Sequence, residues 1–560
     1  MKIRFCGATT GVTGSCHLIM TDNHKVLLDC GQYQGGKSEE EMNWDDFPFD
    51  PTEIEAVVLS HAHIDHCGRL PLLVKRGFKG SIYCTDATAD LLSVMLLDAA
   101  YIHEKDAETM SKKNLRIGKA EVEPLFTEAD ATETLKYVKP VLYDQLISIN
   151  EDMEVVFNDA GHILGSAITE LWIKEKGNTL KLVFTGDIGV EERPILKDPV
   201  KIKKADYVIM ESTYGDRLHP SNSSSIEELI RITVDTVKRG GSVIIPAFAV
   251  GRTQELIFQY NRYYEHHPEL QDLLRNVFVY IDSPMATTAT EVFKNNAAVF
   301  DAETKRYILE GDNPLDFPNL RFTKNTQESQ ILNEIKQPKI IISASGMCEA
   351  GRIRHHLKHT LWDSRNSIVF VGYQAQGTLG RLLVEGADTV KLFGENVVVN
   401  AQIFNLEGFS GHADKDGLLD WVGGLESAPK KIFLVHGEED SKTALAESIK
   451  EKYGYNVVPL YANSEYELES GELVTTEEVI KEAIKVEDID DLKDKLDDVS
   501  SDVQNILERT KAAISDTASA EKLLEINNII QELEKATLNL GSTVTDGEKP
   551  AGTFDKKEGE

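Results

Sequence analysis

Cysteine is scarce in this chain, with six in 560 residues. They stand apart at Cys6, Cys16, Cys30, Cys67, Cys84 and Cys348, and no two form a C-x-x-C pair. So few and so scattered, they exclude a disulfide framework and fit reduced thiols in a cytoplasmic protein. No run of about 18 apolar residues occurs, which excludes a membrane-spanning helix of ordinary length. The opening MKIRFCGATTG lacks an apolar signal region and a small-residue cleavage site, and reads as a first β-strand. Basic residues are outnumbered: Lys and Arg total 60 against 93 Asp and Glu, a net charge of −33. That disfavours broad electrostatic binding of nucleic acid. Residues 481–560 hold 20 acids and 11 bases, so the remainder is still acidic by 24 and any nucleic-acid groove must be local. Neither Gly-rich stretch, ATTGVTGS or SASGMCEAG, has the G-x-x-x-x-G-K-[ST] pattern of a P-loop.

What is there is a long chain, 41% hydrophobic, too large for one core and expected to form two or three domains. Short apolar runs broken by Gly-, Asp- and Asn-rich turns read as strands over KIRFCGA, HLIMT, KVLLDCG, AVVLSHA and SIYCTD. Residues 87–147 carry helical spacing, then strands return through EVVFNDAG, AITELWI, KLVFTGD and ADYVIMEST. From about 222 to 390, strands such as SVIIPAF, VFVYIDSP, KIIISAS and SIVFVGY alternate with helices, the pattern of a largely parallel sheet. NVVVNAQIFNL, KIFLVHG and NVVPLYA add further strands. After about 475 the texture changes. Leu492, Leu496, Val499, Val503 and Ile506 form a short heptad seam, EKLLEINNIIQELEKATLNL is a candidate antiparallel partner, and the last twenty residues are polar and read as disordered.

The densest chemistry lies in VVLSHAHIDHCGRLP. A strand ends in a tight turn that fans His61, His63, Asp65 and His66 into one small space. Neutral imidazole and carboxylate suit Zn²⁺ and related first-row metals. Two pairs in one turn can serve two neighbouring ions, His61 and His63 for one, Asp65 and His66 for the other. A structural zinc site would more often recruit cysteine, so a catalytic centre is the better reading. Cys67 beside them reads as a small buried thiol. NDAGHILGSA places His162 in a Gly-flanked turn, and LVFTGDIG places Asp187 after a strand, where one carboxylate could bridge two cations. LLDCGQ puts Asp29 in a similar position as support that orients the turn. Ser345 and Gly346 in SASGM could present backbone N–H groups to a phosphate, with Arg217 and Arg252 as candidate phosphate partners. His355, His356 and His359 in RIRHHLKH have no evident carboxylate partner and read as facing solvent or a groove.

Asp29, HAHIDH, His162 and Asp187 resemble the four ordered motifs of the metallo-β-lactamase superfamily. MESTYGDR with Glu211, GFSGHAD with His412 and LVHGEED with His436 resemble motifs A, B and C of its β-CASP nucleases. ISASGMCEAGRIRHHLKH, IPAFAVGRTQELI, IDSPMA and GYQAQGTLGR resemble that group too. The likeness runs over roughly residues 1–465.

The resemblance implies an α/β fold: a metallo-β-lactamase αββα sandwich with an inserted β-CASP α/β domain, followed here by a short helical extension. Expected boundaries are 1–208 and 393–470 for the sandwich, 209–392 for the β-CASP domain, 471–540 for the extension and 541–560 for the tail. It implies metal ligation by His61, His63, Asp65, His66, His162, Asp187 and His436. It makes His412 the general acid, with Glu211 holding its imidazole and Asp187 and Asp65 in the catalytic centre. In the family, motif C is histidine in RNA-cleaving members and commonly valine in DNA-cleaving ones, so His436 favours RNA. The expectation is therefore a cytoplasmic ribonuclease using two divalent ions, Zn²⁺ first and Mn²⁺ as the alternative. It would cut single-stranded RNA internally, in RNA processing or decay, without a membrane partner. The heptad seam makes a homodimer a candidate. The rival readings are a lactone, ester or thioester hydrolase on the same core, a DNA nuclease, and a non-catalytic RNA-binding subunit.

Overall fold

The computed structural model describes residues 1–470 and 473, apart from 221, 268–270, 273–274 and 376. The expected helical extension, its heptad seam and the tail lie outside the described residues.

Twenty-two strands run through the described residues. In the first half they are β1 (Lys2–Phe5), β2 (His17–Met20), β3 (Lys25–Leu28), β4 (Ala56–Val58), β5 (Ser81–Thr85) and β6 (Val138–Val141), then β7 (Ile147–Ser148), β8 (Met153–Asp159), β9 (Ala167–Glu175), β10 (Asn178–Phe184) and β11 (Tyr207–Glu211). There follow β12 (Val243–Pro246), β13 (Val279–Ile281), β14 (Leu320–Phe322), β15 (Ile340–Ser343), β16 (Ser367–Phe370), β17 (Thr389–Leu392), β18 (Glu395–Val398), β19 (Gln402–Asn405), β20 (Lys431–Val435), β21 (Val457–Pro459) and β22 (Ser464–Glu467).

Two seven-stranded sheets, ordered β22-β1-β2-β3-β4-β5-β6 and β21-β20-β11-β10-β9-β8-β7, face each other. Their shared core takes Phe5, Val26, Leu28 and Val58 from one sheet and Val155, Phe157, Ile209 and Phe433 from the other. Helices cover both outer faces. The 31-residue helix Asp86–Arg116, capped where Thr85 Oγ1 accepts from Thr88 N, buries Leu91, Leu92 and Leu96 on the first sheet. Lys415–Gly423 and Glu439–Tyr453 bury Leu418, Trp421, Leu445 and Ile449 against Val183, Val208 and Ile432 of the second. This is the expected αββα sandwich.

The third sheet, β14-β13-β15-β12-β16-β19, is parallel throughout. Along β12 successive side chains turn to opposite faces: Val243 and Ile245 join the core shared with the helix Arg252–His266, while Ile244 packs with Leu357 and Leu361. The stretch NVVVNAQIFNL splits. Its first half pairs as β18 with β17, and its second half is β19, on the edge of the third sheet. The run reads as one strand, but a bend at 399–401 sends its halves to different sheets. The strands of this third sheet, from β12 to β19, all fall between Glu211, the last residue of β11, and the helix Lys415–Gly423, which packs on the second sheet. No helix among the described residues is long and apolar enough to cross a membrane.

Parallel pairing decides where the chemistry sits. β10, β11 and β20 lie side by side and parallel, with Glu211 level with Val435. Their carboxyl ends therefore deliver Asp187, Glu211 and His436 to one edge. β3 and β4, also parallel, deliver Asp29 and the His61–His66 turn. In open α/β sheets this edge is where ligands bind.

Candidate metal centre and catalytic site

Asp29 and His436 both leave their strands in the left-handed region, at φ 59° and 50°, a conformation uncommon outside glycine and kept only where surroundings fix it. Asp29 N donates to Val58 O, and His436 N donates to Ala8 O. This turns the buried Asp29 carboxylate back under the next loop. There it accepts from Ser60 N at 2.8 Å, from the Ser15 and Ser60 hydroxyls at 3.0 Å each, and from His66 Nδ1 at 2.7 Å. Because Ser60 Oγ donates to Asp29, it accepts from His61 Nδ1 at 3.0 Å. His162 sits between Gly161 and Gly165, both at positive φ. Its Nδ1 donates to the Gly411 carbonyl at 3.0 Å. Each of these partners fixes a tautomer, so His61, His66 and His162 turn an Nε2 lone pair inward.

Those lone pairs converge. His63 Nδ1 lies 3.2 Å from both His61 Nε2 and His162 Nε2, and Asp187 Oδ2 lies 3.4 and 3.5 Å from the same two atoms. Beside them, His66 Nε2 lies 3.3 Å from His436 Nε2, which is 3.4 Å from Asp65 Oδ2. Asp187 Oδ2 is also 3.3 Å from His66 Nε2, so it touches both groups. Ligands on a tetrahedral ion at 2.0–2.1 Å are spaced about 3.3 Å apart, which is the spacing found here. Asp187 Oδ1 is buried without a hydrogen-bond partner. Three carboxylates, the buried Asp187 and Asp29 and the half-buried Asp65, surround His66; burial opposes its charge, yet they raise its pKa well above the usual imidazole value. Burial pushes His63 down to about 3 and lowers His61 and His162, leaving those rings neutral, as ligation requires. The donor set fits a divalent cation on each test: spacing, orphan oxygen and local negative charge.

Glu211 closes the arrangement. Its carboxylate, fully buried, accepts from Ile188 N at 2.5 Å and Thr213 Oγ1 at 2.6 Å, and its Oε2 faces His412 Nδ1 at 3.1 Å. The His412 backbone bridges Gly189, and Ala413 N donates to Ile188 O, so this loop is fixed next to Asp187. Asp414 then caps the helix Lys415–Gly423 by accepting from Gly417 N. The stretch GFSGHAD thus serves as a helix start and a site loop at once. His412 keeps 21% of its side chain exposed while Glu211 keeps none. Burial works against the charged ring, but Glu211 and Asp187 outweigh it and push His412 up to about 9. The ring so held is protonated at neutral pH.

The structure thus brings His61, His63, Asp65, His66, His162, Asp187 and His436 together, with Glu211 and His412 alongside. Cys67 is fully buried and donates to Ala62 O, away from the cluster. Other expectations change. Arg252 is not open to a phosphate: its guanidinium is buried and bonded to Glu255. Arg217 is exposed but paired with Asp216. Ser345 and Gly346 sit in a loop after β15, where an added Cβ on Gly346 would come within 3.2 Å of the Phe248 ring. His356 does not face solvent. It is fully buried, with Nε2 2.5 Å from Asp282 Oδ2 and Nδ1 2.9 Å from Asn333 Oδ1, while His355 and His359 are exposed. The supporting roles of Ser60, Thr213 and Gly411 carry no signal of their own in the local sequence.

Family models match in chain order. Residues 9–247 match the metallo-beta-lactamase superfamily, 253–383 the Beta-Casp domain and 396–459 the Zn-dependent metallo-hydrolase RNA specificity domain. The chain is 38% identical over 445 residues to Ribonuclease TTHA0252 of Thermus thermophilus, covering 80% of this chain and 95% of that protein. It is 33% identical over 459 residues to Transcription termination factor FttA of Methanocaldococcus jannaschii, covering 80% and 69%, and 31% identical over 465 residues to FttA of Methanosarcina mazei, covering 81% and 69%. With the donor cluster at the sandwich edge and all three models in order, this chain belongs to the β-CASP branch of the metallo-β-lactamase superfamily of metal-dependent hydrolases.

Proposed function

We propose that this protein is a metal-dependent ribonuclease that hydrolyses RNA phosphodiester bonds, cutting internally in single-stranded RNA during RNA processing or decay. The observation that carries the reading is the Glu211–His412 pair beside a buried His/Asp donor cluster. Phosphodiester hydrolysis needs two things at once: charge stabilisation at the phosphorus and a proton for the leaving oxygen. His61, His63, His162 and Asp187 would hold one divalent ion, Asp65, His66 and His436 a second, with Asp187 shared. Zn²⁺ suits these ligands best and Mn²⁺ is tolerated by them. When bound, such ions stabilise negative charge on the phosphate and raise the acidity of a water.

The protein's own groups do the rest. Asp29 fixes the His66 ring, Gly411 O fixes His162, and both leave Nε2 facing inward. Glu211 accepts from His412 Nδ1, aligning the ring and stabilising its charge, so that Nε2–H is free to donate to the leaving oxygen. A lactone or thioester hydrolase would need the same cluster but not a charged imidazole oriented by its own carboxylate. The names of the relatives, a ribonuclease and transcription termination factors, support a nucleic-acid substrate. His436 in motif C supports RNA over DNA by the family resemblance.

The test is direct. Purified protein is incubated with a single-stranded RNA, the same sequence as DNA, and a panel of lactones and thioesters, each with and without chelator. Chelator-sensitive cleavage confined to RNA is expected. Turnover of a lactone or thioester with RNA left intact would overturn the reading.

A further inference from the structure

The loop Phe409–His412 carries the proposed proton donor, and two buried guanidinium groups flank it. Arg193 comes from the sandwich, six residues after Asp187. An added Cβ on Gly411 would stand 3.7 Å from Arg193 Nη1 and 3.1 Å from the His162 ring. Arg252 comes from the start of the helix Arg252–His266 in the inserted domain, with its guanidinium 5.8 Å from the centre of the Phe409 ring. Both arginines donate to the same oxygen, Oε2 of Glu255, one turn further along that helix. All three side chains are more than nine-tenths buried.

The surrounding backbone supports the same clamp. Ile195, two residues after Arg193, is held at φ 77°, an outlier for a β-branched residue. Both of its backbone groups are tied to the inserted domain: its N–H donates to Thr304 Oγ1, and its carbonyl accepts from Asp301 N. Gly251, at φ 80°, brings the inserted domain close to Ile163, next to His162, since an added Cβ there would be 3.2 Å from Ile163 Cγ2.

We propose that Glu255 is a positioning residue for the reaction: it draws Arg193 and Arg252 together across the two domains and so fixes the Phe409–His412 loop, and with it the proton donor. Without the carboxylate, two like charges would face each other in a buried site, and Arg193 would lose its reason to sit behind Gly411. The loop would then lose its register, and His412 would drift from the leaving oxygen. This rests on His412 being the proton donor. It adds that the inserted domain, through one carboxylate, sets that donor's place.

The test compares wild type, Glu255→Gln, Glu255→Asp, His412→Ala and the Glu255→Gln/His412→Ala double variant, each loaded with metal. RNA is one substrate. Bis(p-nitrophenyl) phosphate is the other, because its leaving group departs without a proton. A misplaced donor costs on the order of tenfold to a hundredfold. Glu255→Gln should lose that much in kcat on RNA, with KM within about twofold and a smaller loss on the nitrophenyl ester. Glu255→Asp should recover part of the loss. In the His412→Ala background Glu255→Gln should cost nothing further. Equal losses on both substrates, a change in KM alone, or additive losses in the double variant would overturn the proposal. If Glu255→Gln fails to fold or to bind metal, Arg193→Lys serves instead. It keeps the charge, removes the fork behind Gly411, and should show the same substrate split. Wild type failing to cut RNA while cleaving the nitrophenyl ester would count against the ribonuclease reading, and the clamp would then be judged by the same double-variant comparison on a phosphodiester with an alkyl leaving group, whose departure needs the proton.

Discussion

Glu211 and His412 stand 201 residues apart in the chain, yet Oε2 of one lies 3.1 Å from Nδ1 of the other. Glu211 is anchored from behind by Ile188 N and Thr213 Oγ1, so it is the ring that adapts to the carboxylate. The pair needs a strand end from the second sheet and a loop that returns after the whole inserted domain.

The charge on Glu211 should be visible in the pH profile. A proton donor works only while protonated, so turnover falls as pH rises through its pKa. Glu211 is the leading group raising His412 against the effect of burial. Replacing Glu211 with Gln removes that support, and the alkaline limb of kcat should move to lower pH, with turnover at pH 8 down on the order of tenfold or more. A pH–rate series on both proteins checks the direction; an unmoved limb would contradict it.

Asp29 touches no proposed ion yet orients His66 through Nδ1. Asp29→Asn would keep the shape and weaken that hold. Metal affinity should fall roughly 10- to 100-fold, read by competition with a chromogenic chelator, while His412 and Glu211 stay in place.

Asp187 should tolerate substitution least. It lies within 3.5 Å of His61, His66 and His162. Asp187→Asn should reduce the bound metal, measured by elemental analysis, and abolish turnover.

The inserted domain offers a stability prediction independent of metal. Asp282 is fully buried; burial works against its charge, but hydrogen bonds from His356, Ser329, Thr323 and Arg352 hold its carboxyl well below the ordinary range. A depressed folded pKa means stability that is present above the unfolded value, near 4, and lost as pH falls below it. Asp282→Asn should destabilise the protein by roughly 3 kcal/mol at pH 7. The gap in Tm between wild type and variant should narrow steadily below about pH 4. Thermal unfolding from pH 7 to pH 3 measures both.

Much of the centre was legible because the ligands follow strands. A short apolar run ending in HAHIDH, or in Asp187 or His436, announces both the strand and the group it delivers. The αββα layers were legible as part of the family resemblance carried by those motifs. Arg193 and Glu255 were not legible. Glu255 lies in IPAFAVGRTQELI, but nothing in that stretch points to Arg193, and their meeting depends on how the inserted domain docks. His356 was misread for the same reason: its partner Asp282 is 74 residues away, and nothing in RIRHHLKH points to it. Arg252 reads as a candidate phosphate partner, but its position at the start of a helix packed against the sandwich buries it. NVVVNAQIFNL shows the limit for strands, since hydrophobicity alone does not say that two halves of a run go to different sheets.

The most direct test of the account is cleavage of one RNA labelled separately at each end, by wild type and by His412→Ala at equal metal content. The account predicts internal cuts by wild type, abolished by chelator, and a loss of 10²-fold or more in the variant. Wild-type turnover by His412→Ala would contradict it, because the leaving oxygen would then be drawing its proton from elsewhere.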